Sequence, residues 1–210
     1  MKSTDQTNFQ NIRIAQKSDA IPLALLHKKA LKTSYLSKLG SDFLESMYSF
    51  LISKEIVFVY TEEQSIVAFV SFSKNSSHMM KSFLLSSPRS LFILAKLVLK
   101  KPSISPRLIE TYLAPFKIKD YNLATFKVPL PNSELLSIAV EPQNQTRGIG
   151  IQLLNVLETH LKFNQINRYK VIAGIDLLGA NKFYSKNGFK LSSQINIHGD
   201  NISNVYVKEL

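Results

Sequence analysis

The chain has 210 residues, of which 45% are hydrophobic and 20% are charged, and this composition is typical of a globular protein. It contains no cysteine, which excludes disulfides, thiolate nucleophiles and cysteine-based metal sites. The 26 lysines and arginines exceed the 15 acidic residues, and the net charge of +11 favours an anionic partner such as nucleic acid, a membrane surface or a polyphosphate ligand.

The first ten residues are polar and lack the apolar core of a secretory signal. Apolar runs elsewhere are short; the run Leu91–Ala95, for example, is ended by Lys96. We therefore expect a cytoplasmic protein without a transmembrane segment. The length suits a single domain over residues 1–210.

The N-terminal third predicts the element order β-α-α-β-β. Asn11–Ala15 alternates as a strand does, and Ser18-Asp19 is the predicted N-cap of a first helix. The predicted inward stripe of that helix is Ile21, Leu25, Leu26 and Ala30. Ser41 is the predicted cap of a second helix. Two strands, Ile56–Tyr60 and Ser65–Phe72, then form a predicted hairpin across four polar residues.

Residues 75–132 are predicted to form a helical insertion with a basic outer face. One helical stripe comprises Leu91, Leu94, Ala95 and Val98, and a shorter one comprises Ile109, Tyr112 and Leu113. Prolines divide the region into pieces. Within it, residues 79–120 contribute +6 of the net charge, from two acids (Glu110 and Asp120) and eight bases: Lys81, Arg89, Lys96, Lys100, Lys101, Arg107, Lys117 and Lys119.

The C-terminal part predicts a strand, a glycine turn and a helix, followed by a second strand, a short helix and a hairpin. The predicted segments are Leu135–Val140, a helix with inward Ile151, Leu154, Leu157 and Leu161, the strand Tyr169–Ala173, the helix Ala180–Ser185, and a hairpin over Phe189–Ile197 and Val205–Val207.

The turn after Leu135–Val140 carries the motif Gln145-x-x-Gly148-x-Gly150. Glycines let the backbone approach a ligand closely, and the free amides of a helix start attract anions such as a pyrophosphate. A dinucleotide fingerprint would need a third glycine where Leu153 stands, and a P-loop would need Lys-Ser/Thr where Ile151-Gln152 stands. The turn therefore predicts an anion site of another kind.

This motif resembles the Arg/Gln-x-x-Gly-x-Gly/Ala signature of the GNAT superfamily of acyl-CoA-dependent N-acetyltransferases. A second block, from Ala180 through Phe183-Tyr184 to Gly188-Phe189, is similar to that family's Ala-x-x-Leu/Phe-Tyr-x-x-x-Gly-Phe block. The resemblance implies an α/β fold with a mixed central sheet of six to seven strands. That sheet would be splayed at the acyl-CoA site and flanked by helices, and the insertion would lie between strands 3 and 4.

The resemblance also implies the cofactor contacts. The backbone of Ile138, Ala139 and Val140 would pair with the pantetheine arm and hold the acetyl carbonyl, and a main-chain donor there would stabilise the oxyanion. The pyrophosphate would bind to the turn formed by Gln145, Thr146, Arg147, Gly148, Ile149 and Gly150. Ala180 and Phe183 of the second block complete the predicted cofactor-binding set.

Two catalytic residues are implied by the same resemblance. Tyr184 matches the family tyrosine that protonates the leaving thiolate. Glu134 lies eleven positions before Gln145, the spacing of the glutamate general base in the histone-acetylating branch. An ordered water is the alternative base. Leu177 stands where many members have an asparagine, which leaves a side-chain contact to pantetheine without its usual residue.

The predicted reaction is acetyl transfer from acetyl-CoA, as co-substrate, to a primary amine by direct attack in a ternary complex. No metal is expected, because the four histidines show no ligand spacing. An amino sugar, a polyamine, a peptide N-terminus and a lysine side chain all stay open as acceptors, and the basic insertion favours an anionic one such as a nucleotide-linked amino sugar.

The competing hypothesis is a non-catalytic module that binds acyl-CoA or an anionic surface. Nucleic acid is not expected as a partner, because the basic segment lacks a repeated series of aromatic residues. A monomer and a homodimer are both compatible with the sequence.

Overall fold

The computed structural model describes residues 10–100, 129–198 and 201–210. The strands and helices are β1 (Ile12–Ile14), α1 (Ala20–Ala30), α2 (Ser41–Lys54), β2 (Ile56–Glu62), β3 (Ser65–Ser73), α3 (Ser76–Ser86), α4 (Pro88–Lys100), β4 (Glu134–Val140), α5 (Ile149–Phe163), β5 (Arg168–Gly174), α6 (Leu178–Lys186), β6 (Lys190–His198) and β7 (Asn201–Glu209). This order confirms the predicted succession of elements over the described residues. None of these helices is long and apolar enough to cross a membrane.

The strands form one seven-stranded sheet in the order β1-β2-β3-β4-β5-β7-β6. All neighbours are antiparallel except β4 and β5, which are parallel. These two strands pair only at Glu134 with Lys170 and at Leu135 with Val171, so the rest of β4 has no partner in β5. The predicted mixed sheet, splayed beside the motif strand, is thereby confirmed.

Helices cover both faces of the sheet. On one face, α1, α2 and α3 bury a cluster that includes Leu23, Phe43 and Phe83. On the other face, α5 and α6 bury a cluster that includes Leu153 and Tyr184. Burial of apolar surface in these two layers is the main favourable contribution to folding. We call them the α1–α2 face and the α5–α6 face.

A bulge in β4 changes the direction of its side chains. Ser71 pairs with Ser137 and Phe72 pairs with Leu135, so Leu136 is the extra residue. Leu135 and Ile138 pack on the α5–α6 face, while Leu136 and Ala139 pack on the α1–α2 face. Because alternate residues of a strand share a face, Ser137 lies on the α1–α2 face with Ala139. The bulge thus places Leu136 and Ser137 consecutively on that side.

Two sequence predictions about the first helices are wrong in detail. Ile21 and Leu25 are 55% and 57% exposed, while α1 buries Ala20, Leu23, Ala24, Leu26 and His27. Gly40, not Ser41, is the N-cap of α2, because the chain enters that helix with a φ of 94° that glycine adopts without strain. Asp19 does precede α1, but its carboxylate binds Arg13 and the Gln16 amide instead of capping the helix.

The insertion is helical over α3 and α4, as predicted, and these two helices pack on α2. The ring of Phe83 lies 5.6 Å from that of Phe43 and 5.4 Å from that of Phe50. Ile93 and Leu94 pack on the same cluster, whereas Leu91 and Ala95, predicted to share the inward stripe, are exposed. The predicted helix near residues 109–113 and the turn at 199–200 lie outside the described residues.

Candidate active site

The turn between β4 and α5 presents a row of unpaired backbone amides. Thr146 and Gly148 have φ values of 67° and 78°, and Gly148 is the N-cap of α5. Within the described part of the chain, the amides from Thr146 to Ile151 donate to no protein acceptor, and Gln152 is the next residue to do so, to the Gly148 carbonyl at 3.2 Å. Such donors at the positive end of a helix form a site for an anion.

Side chains hold this turn in shape. The Gln145 amide donates to the Val140 carbonyl at 3.2 Å, and the buried Asn144 donates to Glu141 at 3.2 Å. Gln145, a predicted cofactor-binding residue, therefore ties the turn back to the end of β4. A Cβ at Gly148 would have only Ile151 near it, at 3.9 Å, so the space beside this residue is open for a ligand.

Arg147 is bound on the protein itself. Its guanidinium donates to both carboxylate oxygens of Glu62, at 2.7 and 3.0 Å, and to Asn144 at 2.8 Å. The hydrogen bonds and charge of Glu62 raise the pKa of Arg147 above its usual value. The pair lines a cleft of about 730 Å³ that also contains Glu63 and Glu141. The predicted role of Arg147 beside a pyrophosphate would require it to share or leave Glu62.

The second motif block lies against the first. A Cβ at Gly150 would stand 3.5 Å from the Phe183 ring and 3.8 Å from Val140, so the start of α5 touches both α6 and the end of β4. Ala180 and Phe183 pack on the α5–α6 cluster. The structure thus brings together the amide turn, the free part of β4 and α6, which are the three parts of the predicted cofactor site.

Tyr184 is buried in the aromatic part of that cluster. It is 6% exposed, and its ring lies 5.6 Å from Phe183 and 5.3 Å from Phe189. Burial raises the pKa of its phenol, so the hydroxyl keeps its proton at neutral pH.

Asn181, which was not predicted to bind ligand, has a structural role. Its amide donates to the carbonyls of Gly174 and Leu177, both at 2.8 Å, and accepts from Asn204 and Tyr206. These bonds tie α6 to the end of β5 and to the middle of β7.

Glu134 is the first residue of β4 and one of the two residues of that strand that pair with β5. Its carboxylate is 3.4 Å from the ammonium of Lys170, and both side chains are largely buried. Lys170 also donates to the Pro131 carbonyl at 2.6 Å and to Ser76 at 3.4 Å. A predicted general base is therefore already in contact with a cation. No sequence motif indicates this ion pair, which joins the two neighbouring strands of the splayed pair.

A buried polar group on the α1–α2 face was not predicted. His27 is 1% exposed; its Nδ1 lies 2.6 Å from the Tyr48 hydroxyl and its Nε2 lies 3.0 Å from that of Ser34. Burial raises the pKa of Tyr48 well above its usual value, and Ser137 of β4 acts against this rise. The spacing Ala20, Leu23, Ala24, His27 was the available signal, because these positions share one helical face. Across the described residues, no group of three metal-ligating side chains occurs.

Comparison with known proteins agrees with this arrangement. Residues 118–191 match the family model of the acetyltransferase (GNAT) domain. Among solved structures, 308 chains match this fold. The N-acetyltransferase PaiA from Thermoplasma acidophilum, solved with coenzyme A, has a TM-score of 0.55 and 15% identity, over 95% of this chain and 98% of its own.

Two further structures have similar scores. An N-acetyltransferase from Staphylococcus aureus Mu50 has a TM-score of 0.55 and 18% identity, covering 93% of this chain and 98% of its own. An Escherichia coli ribosomal-protein alanine N-acetyltransferase has a TM-score of 0.56 and 13% identity, covering 94% and 92%. No curated protein matches the sequence. At these identities the solved structures establish the fold alone.

A splayed sheet with an amide turn at the start of the following helix is the fold that this chain shares with the solved acetyltransferases. Together with the match of residues 118–191 to the acetyltransferase (GNAT) domain, it makes the chain similar to GNAT acetyltransferases in fold and in this segment.

Proposed function

We propose that the protein transfers an acetyl group from acetyl-CoA to a primary amine by direct attack within a ternary complex. The observation that carries this proposal is the row of unpaired amides from Thr146 to Ile151 beside the unpaired part of β4. The amides suit the pyrophosphate, and the opening between β4 and β5 gives the pantetheine arm a strand to lie against.

The acetyl carbonyl would be held by main-chain donors of Ile138, Ala139 and Val140. These residues pair with β3 on one side and have no β5 partner on the other. A donor fixed by the sheet costs no reorganisation when negative charge develops on the carbonyl oxygen. Ala180 and Phe183 would pack along the cofactor, since they line the same side of the sheet.

Proton transfer would use Tyr184 and one further group. The buried phenol of Tyr184 is protonated and would donate to the departing thiolate. Glu134 or an ordered water would take the amine proton. The contact with Lys170 holds the Glu134 carboxylate beside the opening between β4 and β5. The same contact competes with the amine proton for that carboxylate.

The proposed acceptor class is an anionic primary amine, such as a phosphate- or nucleotide-linked amino sugar. Support comes from the net charge of +11 and from the basic character of residues 79–120. The PaiA and ribosomal-protein enzymes are only 15% and 13% identical to this chain, so their acceptors are not assigned to it.

A panel of amines tests the proposal. Spermidine, glucosamine, glucosamine 6-phosphate, a peptide with a free N-terminus and an N-acetylated lysine peptide are each incubated with acetyl-CoA, and release of free thiol is measured. We expect release that depends on the amine. Binding of acetyl-CoA by calorimetry without thiol release for any amine would instead favour the non-catalytic module.

The panel also tests Glu134. We expect Glu134→Gln to lower kcat with the active amine by about 10²-fold or more if the carboxylate is the base. If water is the base, kcat should change little.

A further inference from the structure

The corner between α3 and α4 carries large apolar side chains that are open to solvent. Leu85, at the end of α3, is 75% exposed. Leu91 and Phe92, near the start of α4, are 48% and 68% exposed. Single exposed apolar residues are common on proteins, but several of them on one corner indicate an interaction surface. We call these three residues the α3–α4 apolar patch.

The patch lies on the side of α4 that faces away from the protein. Ile93 and Leu94 pack on the α1–α2 cluster, whereas Leu91, Phe92 and Ala95 are exposed. With 3.6 residues per turn, the three exposed positions form a strip of about 100° around the helix axis. The inward side explains how α4 packs on the fold, and the outward apolar strip has no part in that packing.

The rest of the fold holds this corner in place. The hydroxyl of Ser87, between the two helices, lies 2.9 Å from that of Ser46 in α2. In α3, the buried Phe83 contacts the rings of Phe43 and Phe50. Because α4 is anchored at the same time through its inward side, the patch cannot turn into the core without breaking these contacts. It is a preformed surface.

The same two helices are basic. Between positions 76 and 100 the chain has no aspartate or glutamate, and it has four bases: Lys81, Arg89, Lys96 and Lys100. Lys96 is exposed and lies four residues after Phe92, so it borders the apolar strip. Helical spacing places positions 89 and 100 along the same edge of α4 as Lys96. An apolar strip with a basic edge is the pattern of helices that lie on anionic bilayers.

A bilayer fits this surface better than the other anionic partners do. Nucleic acid is bound through basic and stacked aromatic side chains, and Leu85 and Leu91 would add nothing to such contacts. An acidic protein would have to supply an apolar groove of matching shape. A bilayer needs no matching shape, because apolar side chains of any form enter the region below its charged headgroups.

We propose that the α3–α4 corner docks on the surface of an anionic lipid bilayer. Leu85, Leu91 and Phe92 enter the boundary between headgroups and acyl chains, and Lys96 lies beside the headgroup phosphates. With 13 residues, α4 is about 20 Å long, which suits a helix that lies in the interface. This docking goes beyond the proposed acetyl transfer and does not depend on it.

Docking would also bring the candidate active site close to the headgroups. At the start of α3, the Ser76 amide donates to the Asn132 carbonyl at 3.0 Å. The Ser76 hydroxyl accepts from Lys170, which contacts Glu134 beside the opening of the sheet. The 11 residues of α3, about 16 Å in length, therefore separate the opening from the docked corner.

Vesicle flotation with the full chain tests the proposal. The protein is mixed with vesicles of phosphatidylcholine alone or of phosphatidylcholine with phosphatidylserine, and the bound fraction gives a partition coefficient. Phe92→Ser removes the largest side chain of the patch. Phe163→Ser is its matched control, because Phe163 is 87% exposed at the end of α5, on the opposite face of the sheet. Lys96→Gln and Lys17→Gln form a second pair, since both lysines are exposed and only Lys96 borders the patch.

We expect the wild-type protein to bind the anionic vesicles more strongly than the neutral ones, and the difference to shrink as salt is raised. Phe92→Ser should weaken binding to anionic vesicles by about 10-fold or more. Lys96→Gln should weaken it by about 5-fold. Phe163→Ser and Lys17→Gln should bind as the wild type does. Circular dichroism checks that each variant is folded.

Other outcomes would overturn the docking. They are a wild-type protein that binds neither vesicle, equal binding to both vesicles, or equal losses in Phe92→Ser and Phe163→Ser. Binding to duplex DNA but not to vesicles would identify the basic face as a nucleic-acid surface and overturn it as well. Thiol release with the amine panel is measured separately, so a protein that binds anionic vesicles but acetylates no amine would overturn the proposed function and leave the docking intact.

Discussion

At the scale of single residues, the candidate anion site is formed by backbone amides and not by the basic side chain that lies beside them in the sequence. Arg147 looked like the cation for a pyrophosphate, yet its guanidinium is held by Glu62 and Asn144. The neighbouring amides are the groups left unpaired. Because a helix N-terminus binds anions without any charged side chain, the site needs Arg147 less than its sequence position indicates.

Tyr184→Phe tests the proposed acid. The hydroxyl would act on the departing thiolate, so we expect kcat to fall by about 10²-fold or more while the KM for acetyl-CoA changes little. Steady-state kinetics with the active amine measures both constants. Tyr206→Phe is the control, because it removes a hydroxyl from the same buried cluster, one bonded to Asn181 at 3.0 Å. A wild-type rate in Tyr184→Phe would leave Tyr184 as a packing residue.

At the scale of elements, the sequence predicted the regular helices and strands but not the bulge in β4. Strands and helices follow the alternation and the 3.6-residue spacing of apolar side chains. The bulge at Leu136 has no glycine or proline to mark it, and it decides that Ser137 lies on the α1–α2 face of the sheet. In α1 the exposed Ile21 and Leu25 suggested one face, but the helix buries a different set of residues, namely Ala20, Leu23, Ala24, Leu26 and His27.

Gly148→Val tests the amide turn as a binding element. The residue has a φ of 78° and open space beside it, so a valine would strain the backbone and occupy the ligand's side of the turn. We expect acetyl-CoA binding, measured by calorimetry, to be lost. Gly40→Val is the matched control: Gly40 is also a helix N-cap, with a φ of 94° and nothing within 4 Å of an added Cβ.

Both substitutions should lower stability, because each puts a β-branched residue in a left-handed conformation, at a cost of about 1–3 kcal/mol. Gly40→Val should nevertheless bind acetyl-CoA as the wild type does. Equal affinity in a folded Gly148→Val would show that the ligand does not use this turn.

At the scale of the whole molecule, the sequence did not predict which residues far apart in the chain contact one another. The resemblance carried by the two motifs predicted a mixed sheet that is splayed at the acyl-CoA site, but it did not predict the order of the strands. The motifs did not predict that Arg147 pairs with Glu62, 85 residues away, or that α3 and α4 pack on α2 rather than on the open sheet. These contacts depend on how the helices pack on the sheet, and the sequence alone was equally compatible with many other contacts.

The basic insertion gives a prediction for the protein as a whole. Charges spread over a surface attract an anionic acceptor over distances that salt screens, since the Debye length falls from about 30 Å at 0.01 M to about 8 Å at 0.15 M ionic strength. We expect kcat/KM for glucosamine 6-phosphate to exceed that for glucosamine at low salt, and the difference to shrink as salt is raised. Both amines share the sugar and the amino group, so they differ by the phosphate.

A pair of charge reversals locates the effect. Lys96 is exposed on α4, within the insertion, and Lys17 is exposed beside β1, outside it. Lys96→Glu and Lys17→Glu change the net charge equally, so a steering role of the insertion predicts that only Lys96→Glu flattens the salt dependence for the phosphorylated amine. Equal kcat/KM for the two amines at every ionic strength, or equal effects of the two reversals, would show that the basic face is solvated surface without a part in acceptor choice.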